Sequence, residues 1–261
     1  MAASPRVLMP LPDTDFDTTE AAISWDRFIN AGFTVTFATE TGKIARCDQR
    51  LLKSGWFHPL PAGPEARAAY TAMVASPEFQ APITYRAIEV ADFDAIHLSG
   101  GHAQGMRQYL DSAVLQSKVV DFHRAGKLIG AACHGTLIPA RAIDPSTKQS
   151  IIAGRRFTTL TLPLEKWAFK ITWYRVGRRY RTYWKYTETE VRKAVGLRGE
   201  VVRGESFETP LVVEDGNFIS ARYPLDVPEY AAAFVRRLQN SERPPENVSD
   251  HVSDQATPRG R

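Results

Sequence analysis

Apolar and polar positions along this chain follow two alternating rhythms. Short runs dense in β-branched and aromatic residues, RVLMPLP (6–12), FTVTFATE (33–40), FDAIHLSGG (93–101) and LIGAAC (128–133), have the length and composition of strands. Between and after them lie stretches whose apolar residues recur at helical spacing: TTEAAISWDRFINAG (18–32), SAVLQSKVVDFHRAGK (112–127) and HGTLIPARA (134–142). Gly32 and Gly126 stand where a helix C-terminus favours glycine. RRFTTLT (155–161) reads as a further β-rich run, TPLVVEDGNFISARY (209–223) as a hairpin around Asp215-Gly216, and DVPEYAAAFVRRLQ (226–239) as a closing helix. Strands joined by helical crossovers predict an α/β fold, a doubly wound and mostly parallel sheet covered on both faces.

Two segments break the rhythm. Residues 41–82 carry GWFHPLPAGPEARAAYTAMV, a Pro- and Gly-containing loop followed by a helix, expected to cap one end of the sheet. Residues 163–200 hold LPLEKWAFKITWYRVGRRYRTYWKYTETEV, expected to be a helical insertion near the active-site edge. Its Trp167, Trp173, Trp184 and tyrosines are expected to pack on the domain while Arg175, Arg178, Arg179 and Lys185 face water. Residues 1–240 thus read as a single domain. Residues 241–261 are polar without apolar period and read as a disordered tail.

Composition narrows this picture only slightly. With 43% hydrophobic and 24% charged residues, 261 residues suffice for one domain with a buried core. A net charge of +4 is too diffuse to call for nucleic acid, so no nucleic-acid partner is expected. Two cysteines, Cys47 and Cys133, make no disulfide framework and point to a reducing, cytoplasmic setting. Apolar runs fall short of the roughly 20 residues a membrane helix needs, so no membrane partner is expected either. A P-loop, a dinucleotide fingerprint and His/Cys pairs at zinc spacing are all missing, so no cofactor and no metal are expected.

The chemistry concentrates in LIGAACHGTLIPARA (128–142). A cysteine closing an apolar run is by itself a small hydrophobe. Ala131, His134 and Gly135 around Cys133 give instead the small-x-nucleophile-x-small pattern of a sharp strand-to-helix turn. A thiol there meets free N–H groups and the helix dipole, which predicts a thiolate. A second strand end, SGGHAQG (99–105), places Gly100 and Gly101 where backbone N–H groups can approach a reacting oxygen, and Gly135 beside the nucleophile is a further candidate to contact substrate. His102 either lines the site or serves the turn. Glu20, in the first turn of the helix after the first strand, reaches the same sheet edge and is a candidate to hydrogen-bond the thiol and carry protons.

Glu20 with Ala31-Gly32 closing its helix, S-G-G-H at 99–102 and A-A-C-H-G at 131–135 resemble the ThiJ/PfpI superfamily over roughly residues 6–162 and again over 210–239. The resemblance implies a flavodoxin-like, class I glutamine amidotransferase-like fold, with Cys133 as nucleophile, Glu20 as its carboxylic partner and Gly101 as oxyanion donor. His134 matches the adjacent histidine of the protease and glyoxalase branches, and Glu165 falls near the place of an acid orienting that histidine. A homodimer is the family habit. Ala132 and Thr136 depart from the isoleucine and proline common in relatives. Amidotransferases take their base from a late histidine, whereas FISARYPLDVPEY has none and His251 lies in the tail, which argues against a glutaminase. Three readings remain. A cysteine-dependent enzyme acting on a small carbonyl compound, glyoxalase III-like, is preferred. A cysteine amidase or peptidase is the first alternative, and a non-enzymatic redox sensor or holdase chaperone the second.

Overall fold

The structure, a computed structural model, describes residues 4–53, 60–177 and 180–241. The predicted disordered tail, apart from its first residue, lies outside the described residues, as do Arg178 and Arg179. The chain opens with β1 (Arg6–Pro10), β2 (Thr14–Phe16), α1 (Thr18–Asn30), β3 (Thr34–Thr39) and β4 (Arg46–Cys47). Then come α2 (Pro64–Ala75), α3 (Pro77–Gln80), β5 (Ile83–Thr84), β6 (Ala95–Leu98), α4 (Met106–Leu110), α5 (Ala113–Arg124), β7 (Leu128–Ala132) and α6 (Leu137–Arg141). The last third holds β8 (Arg156–Phe157), α7 (Leu162–Val176), α8 (Thr187–Val195), β9 (Glu200–Val201), β10 (Val212–Asp215), β11 (Phe218–Ala221) and α9 (Val227–Ser241).

The main sheet runs β10-β11-β7-β6-β1-β3-β5, with only β10 antiparallel to its neighbour. The order β3-β1-β6-β7-β11 is flavodoxin-like, and the crossover direction reverses between β1 and β6. Its central strands are apolar on both faces, as Val7, Leu8, Met9, Ile96, Leu98 and Ile129 show by being fully buried. On one face α1 and α9 pack against each other; on the other, α5 lies along β6 and β7 and meets α6. Among the described residues no helix is long and apolar enough to cross a membrane.

Three expectations need correction. The run 155–161 is a strand only at Arg156–Phe157 and pairs with β9 outside the main sheet. Its threonines bond side chains instead: Thr158 N–H donates to Ser220 Oγ at 2.9 Å, and the hydroxyls of Thr136 and Thr159 share a 2.6 Å bond. The run thereby passes over the sheet's edge and lays Leu160 on Cys133. Second, Trp167, Trp173 and Trp184 are exposed rather than packed. Rings in that segment hold arginines, with Arg181 over Tyr186 at 4.2 Å and Arg141 over Tyr183 at 4.5 Å. Third, the 41–82 segment divides. Leu51 and Leu60–Ala62 line a cavity beyond the strand ends, whereas α2 lies along α1.

The corner after β11 is held by a fully buried ion pair. The Arg222 guanidinium donates to Asp226 Oδ1 at 2.8 Å and Oδ2 at 2.9 Å, and also to the carbonyls of Arg203, Ser206 and Thr209. Removing one partner leaves a buried charge unmatched. Asp226→Asn is therefore expected to cost about 3–5 kcal/mol. Urea unfolding reads this as a lowered midpoint at unchanged slope, and coincident wild-type and variant curves would contradict it.

Candidate active site

At the end of β7 the backbone is extended at Ala132 (φ −125°, ψ 149°) and then turns at Cys133, whose φ is +51°. A left-handed residue other than glycine costs on the order of 1–3 kcal/mol and survives only where its surroundings dictate it. Here they do. A side chain at Gly135 would sit 2.2 Å from the Leu98 carbonyl oxygen, and one at Gly100 would sit 2.7 Å from His134 N and 2.9 Å from Cys133 Cβ. The Thr136 hydroxyl donates to the Cys133 carbonyl at 2.6 Å. The elbow is thus wedged against the end of β6, as the small residues at 131 and 135 predict.

Two of the glycines have other roles than those expected. Gly100 N–H donates to Glu20 Oε2 at 2.6 Å and is not offered to a reacting oxygen. Gly135 is a packing residue beneath the Leu98 and Ser99 carbonyls rather than a substrate contact. Both positions require glycine for backbone approach, and the sequence pattern does not separate that need from N–H donation.

Glu20 is aimed by the start of α1. Asp17 caps the helix, accepting from Thr19 N at 2.8 Å and Glu20 N at 3.0 Å. Glu20 is fully buried beside the Cys133 thiol. Burial first, and the Asp17 carboxyl next, push Glu20 well above the usual carboxylate range, while the Gly100 N–H and the thiol act the other way. Burial also pushes the Cys133 thiol up, reinforced by the carboxyls of Glu20 and Asp17 and opposed by the His134 N–H. This corrects the expected thiolate. The predicted helix over 134–142 begins as a 3-10 turn at Cys133–Thr136 and continues for only five α-helical residues, a weak dipole against complete burial. Both groups thus hold their protons more tightly than free side chains do.

His134 stands between two acids of different kind. Its Nδ1 lies 3.6 Å from Cys133 Sγ, and its Nε2 lies 3.8 Å from Glu165 Oε1. Glu165, in the first turn of α7, is buried and also accepts the Thr187 N–H at 2.9 Å. Burial alone would raise its pKa, but the His134 imidazole and the Thr187 N–H outweigh it and hold Glu165 below the ordinary range. His102 comes edge-on to His134, ring centroids 4.8 Å apart, and the Thr182 hydroxyl holds its carbonyl at 2.8 Å. The zinc motif missing from the sequence has a spatial counterpart, since the donor atoms of His102, Cys133 and His134 lie within 4.8 Å of one another.

Beyond these residues opens a cavity of about 290 Å³, lined by His102 and Glu165 and by apolar groups including Leu160, Leu164, Trp167 and Tyr223. Asp17 and Tyr180 also face it. Sequence reasoning had not singled out Asp17 as part of the site, although D-T-T-E at 17–20 is a helix-start pattern that marks it. Leu160, Leu164, Tyr180 and Tyr223 carry no comparable sequence signal.

The fold and elbow define a flavodoxin-like protein with a cysteine nucleophile-elbow geometry. A family model described as ThiJ/PfpI family-like matches residues 11–193, and the chain belongs to that family. An uncharacterized protein of Schizosaccharomyces pombe is 31% identical over 121 residues, a match spanning 45% of this chain and 45% of the yeast protein. Among solved structures, glyoxalase III from Candida albicans superposes with a TM-score of 0.67 at 20% identity, covering 89% of this chain and 96% of that one. A ThiJ/PfpI domain protein from Brachyspira murdochii gives 0.61 at 16% identity, covering 92% and 99%. At these identities the superpositions speak for the fold.

Asp17 supplies a test of the site's electrostatics. Burial, against the two N–H bonds, raises it from 3.8 to about 6, so the folded chain holds that proton more tightly than the unfolded one. Stability contributed by the protonated form is present at low pH and is lost as pH rises through that window. Asp17→Asn keeps a cap but cannot ionise. Its melting temperature relative to wild type is expected to rise between pH about 4 and about 7. A constant difference across that range would refute the assignment.

Proposed function

We propose that the protein is a cysteine-dependent enzyme acting on small carbonyl compounds with an apolar substituent, by glyoxalase III-like chemistry. The observation that carries this reading is the Glu165–His134–Cys133 series, with separations of 3.8 and 3.6 Å, facing across the thiol the buried Glu20 carboxyl, whose proton burial holds more tightly than usual. Glu165 fixes Nε2 as the side of the ring that faces the acid, leaving Nδ1 to take the thiol proton. As the S–H bond breaks, sulfur attacks the aldehyde carbon of an α-oxoaldehyde, and the resulting oxygen takes a proton from Glu20. Gly101 remains the oxyanion donor implied by the family pattern. The carboxylate left on Glu20 then removes the hydrogen from that carbon and delivers it to the neighbouring one, whose ketone oxygen takes the proton held on His134, while the adduct hydroxyl returns its proton to Glu20 as the new carbonyl forms. This converts the hemithioacetal to a thioester, which water hydrolyses to a 2-hydroxy acid and the free thiol.

The buried, protonated thiol weakens the redox-sensor alternative, because sensors rely on exposed, acidic cysteines. Hydrolysis of an amide by the same Cys–His–Glu series remains the second reading, since His134 stands ready to return its proton to a leaving amine. The test is acid production from methylglyoxal, with amide hydrolysis followed in parallel. Cys133→Ser is expected to abolish turnover and Glu20→Gln to lower kcat by about 10²–10⁴-fold. Because the cavity is lined by leucines and aromatic rings, phenylglyoxal should exceed glyoxal in kcat/KM by about tenfold or more. Turnover equal in wild type and Cys133→Ser would sink the reading, and amide turnover alone would transfer it to the hydrolase.

A further inference from the structure

We propose that His102, Cys133 and His134 form a three-ligand site for a borderline divalent cation of the Zn²⁺ class. The ligands come from two strand ends. His102 follows β6 and the Cys133-His134 pair follows β7, so the site exists only in the folded sheet. Its donor set, one sulfur and two imidazoles, suits Zn²⁺ or Co²⁺ and excludes the oxygen-preferring Ca²⁺ and Mg²⁺.

The geometry supports this assignment at three points. Sulfur at about 2.3 Å and nitrogen at about 2.0–2.1 Å from a tetrahedral ion stand about 3.6 Å apart. Cys133 Sγ and His134 Nδ1 are separated by 3.6 Å. The other nitrogen of His134 faces Glu165 Oε1 at 3.8 Å, the carboxylate–imidazole arrangement that orients a ligating histidine and raises its basicity. The third donor is nearly in place. All three donor atoms fall within 4.8 Å of one another, and His102 lines the cavity, so closing on a tetrahedral ion asks for a shift of roughly 1–2 Å. The Thr182 hydroxyl anchors the backbone of that residue, so the motion is one of the side chain.

Binding exchanges one bond for another. The Cys133 S–H bond breaks, its proton passes to solvent, and a sulfur–metal bond forms with no change in oxidation state. The fourth coordination position faces the cavity and takes water. A bound ion removes the nucleophile from carbonyl chemistry, so the cation acts as a reversible inhibitor of the reaction proposed above. The site itself does not depend on which substrate that reaction uses.

Cobalt is the probe. Titrating Co²⁺ into the chelator-treated full-length chain is expected to produce a thiolate-to-cobalt charge-transfer band and the visible bands of a four-coordinate ion, both abolished by Zn²⁺, together with release of a proton that Zn²⁺ does not reverse. Cys133→Ser should abolish the charge-transfer band, and Cys47→Ser should leave it intact. His102→Asn should weaken Co²⁺ binding at least about tenfold, and Glu165→Gln should weaken it about 10–100-fold while preserving the band. Circular dichroism establishes that each variant is folded, and the partly exposed His102 keeps the test decisive if Cys133→Ser is not. Absence of the band, its survival in folded Cys133→Ser, or wild-type affinity in His102→Asn would overturn the site. No turnover is involved, so failure of the carbonyl reading would leave this result standing.

Discussion

The hydrogen bond from Gly100 N–H to Glu20 Oε2, 2.6 Å long, is the contact around which the site is arranged. It joins the helix after β1 to the chain leaving β6, at the point where the sheet's crossover direction reverses. Asp17 must cap α1 for Glu20 to arrive there, and residue 100 must lack a side chain, because one would strike His134 N, Cys133 Cβ and Glu20 itself. Cys133 then has one place to go. Its left-handed backbone is the shape left between a carboxyl that is already bonded and a β6 end that Gly135 passes closely.

That confinement decides protonation. A thiol at a helix start is usually argued to be acidic, and each favourable term is present here: a following N–H, a helix, a neighbouring histidine. Burial exceeds them, because the helix is short and the nearest groups are carboxyls that resist a second negative charge. The consequence for chemistry is a site that disfavours the charged form of either group unless a partner compensates it. An electrophilic carbon or a metal ion can each provide the compensation, since both bond the sulfur as its proton leaves. The Glu165–His134 pair, 3.8 Å apart, suits either event, since it orients the imidazole toward the sulfur.

Much of this was legible in the sequence. The strands β1, β3, β6 and β7 are apolar on both faces and bounded by turn residues, so their pattern has one reading. Cys133 and Glu20 stand at positions fixed by those strand ends, and the acid at 165 could be placed only through the family resemblance, near the spot where an acid orients the histidine. What failed had identifiable physical causes. Thr158, Thr159 and Thr161 have strand-favouring side chains, yet the first two bond neighbouring side chains and the run leaves the sheet. The tryptophans of α7 and its following loop are hydrophobic by composition but lie outside the buried face formed by Leu164, Glu165, Ala168 and Thr172. Glycine spacing could not reveal that Gly100 spends its N–H on Glu20. The ionisation state of Cys133 depends on burial, which no local motif records.

The far end of the sheet bears on why a histidine stands beside Cys133. In the amidotransferase pattern a histidine arrives after the last hairpin and reaches the cysteine from across the strand ends. Here the residue leaving β11 is Arg222, and its guanidinium is committed to Asp226 and three backbone carbonyls. The next residue, Tyr223, packs instead with Leu160 and Leu164 over Cys133. Space that a late histidine would need is therefore filled by an apolar roof. With that approach closed, the imidazoles beside the sulfur come from the elbow itself, at His134, and from the end of β6, at His102, and Glu165 orients the first because α7 brings an acid beneath the same roof. The roof and the histidine beside Cys133 together make an enclosed, apolar site, with no polar approach from the residue that follows Arg222.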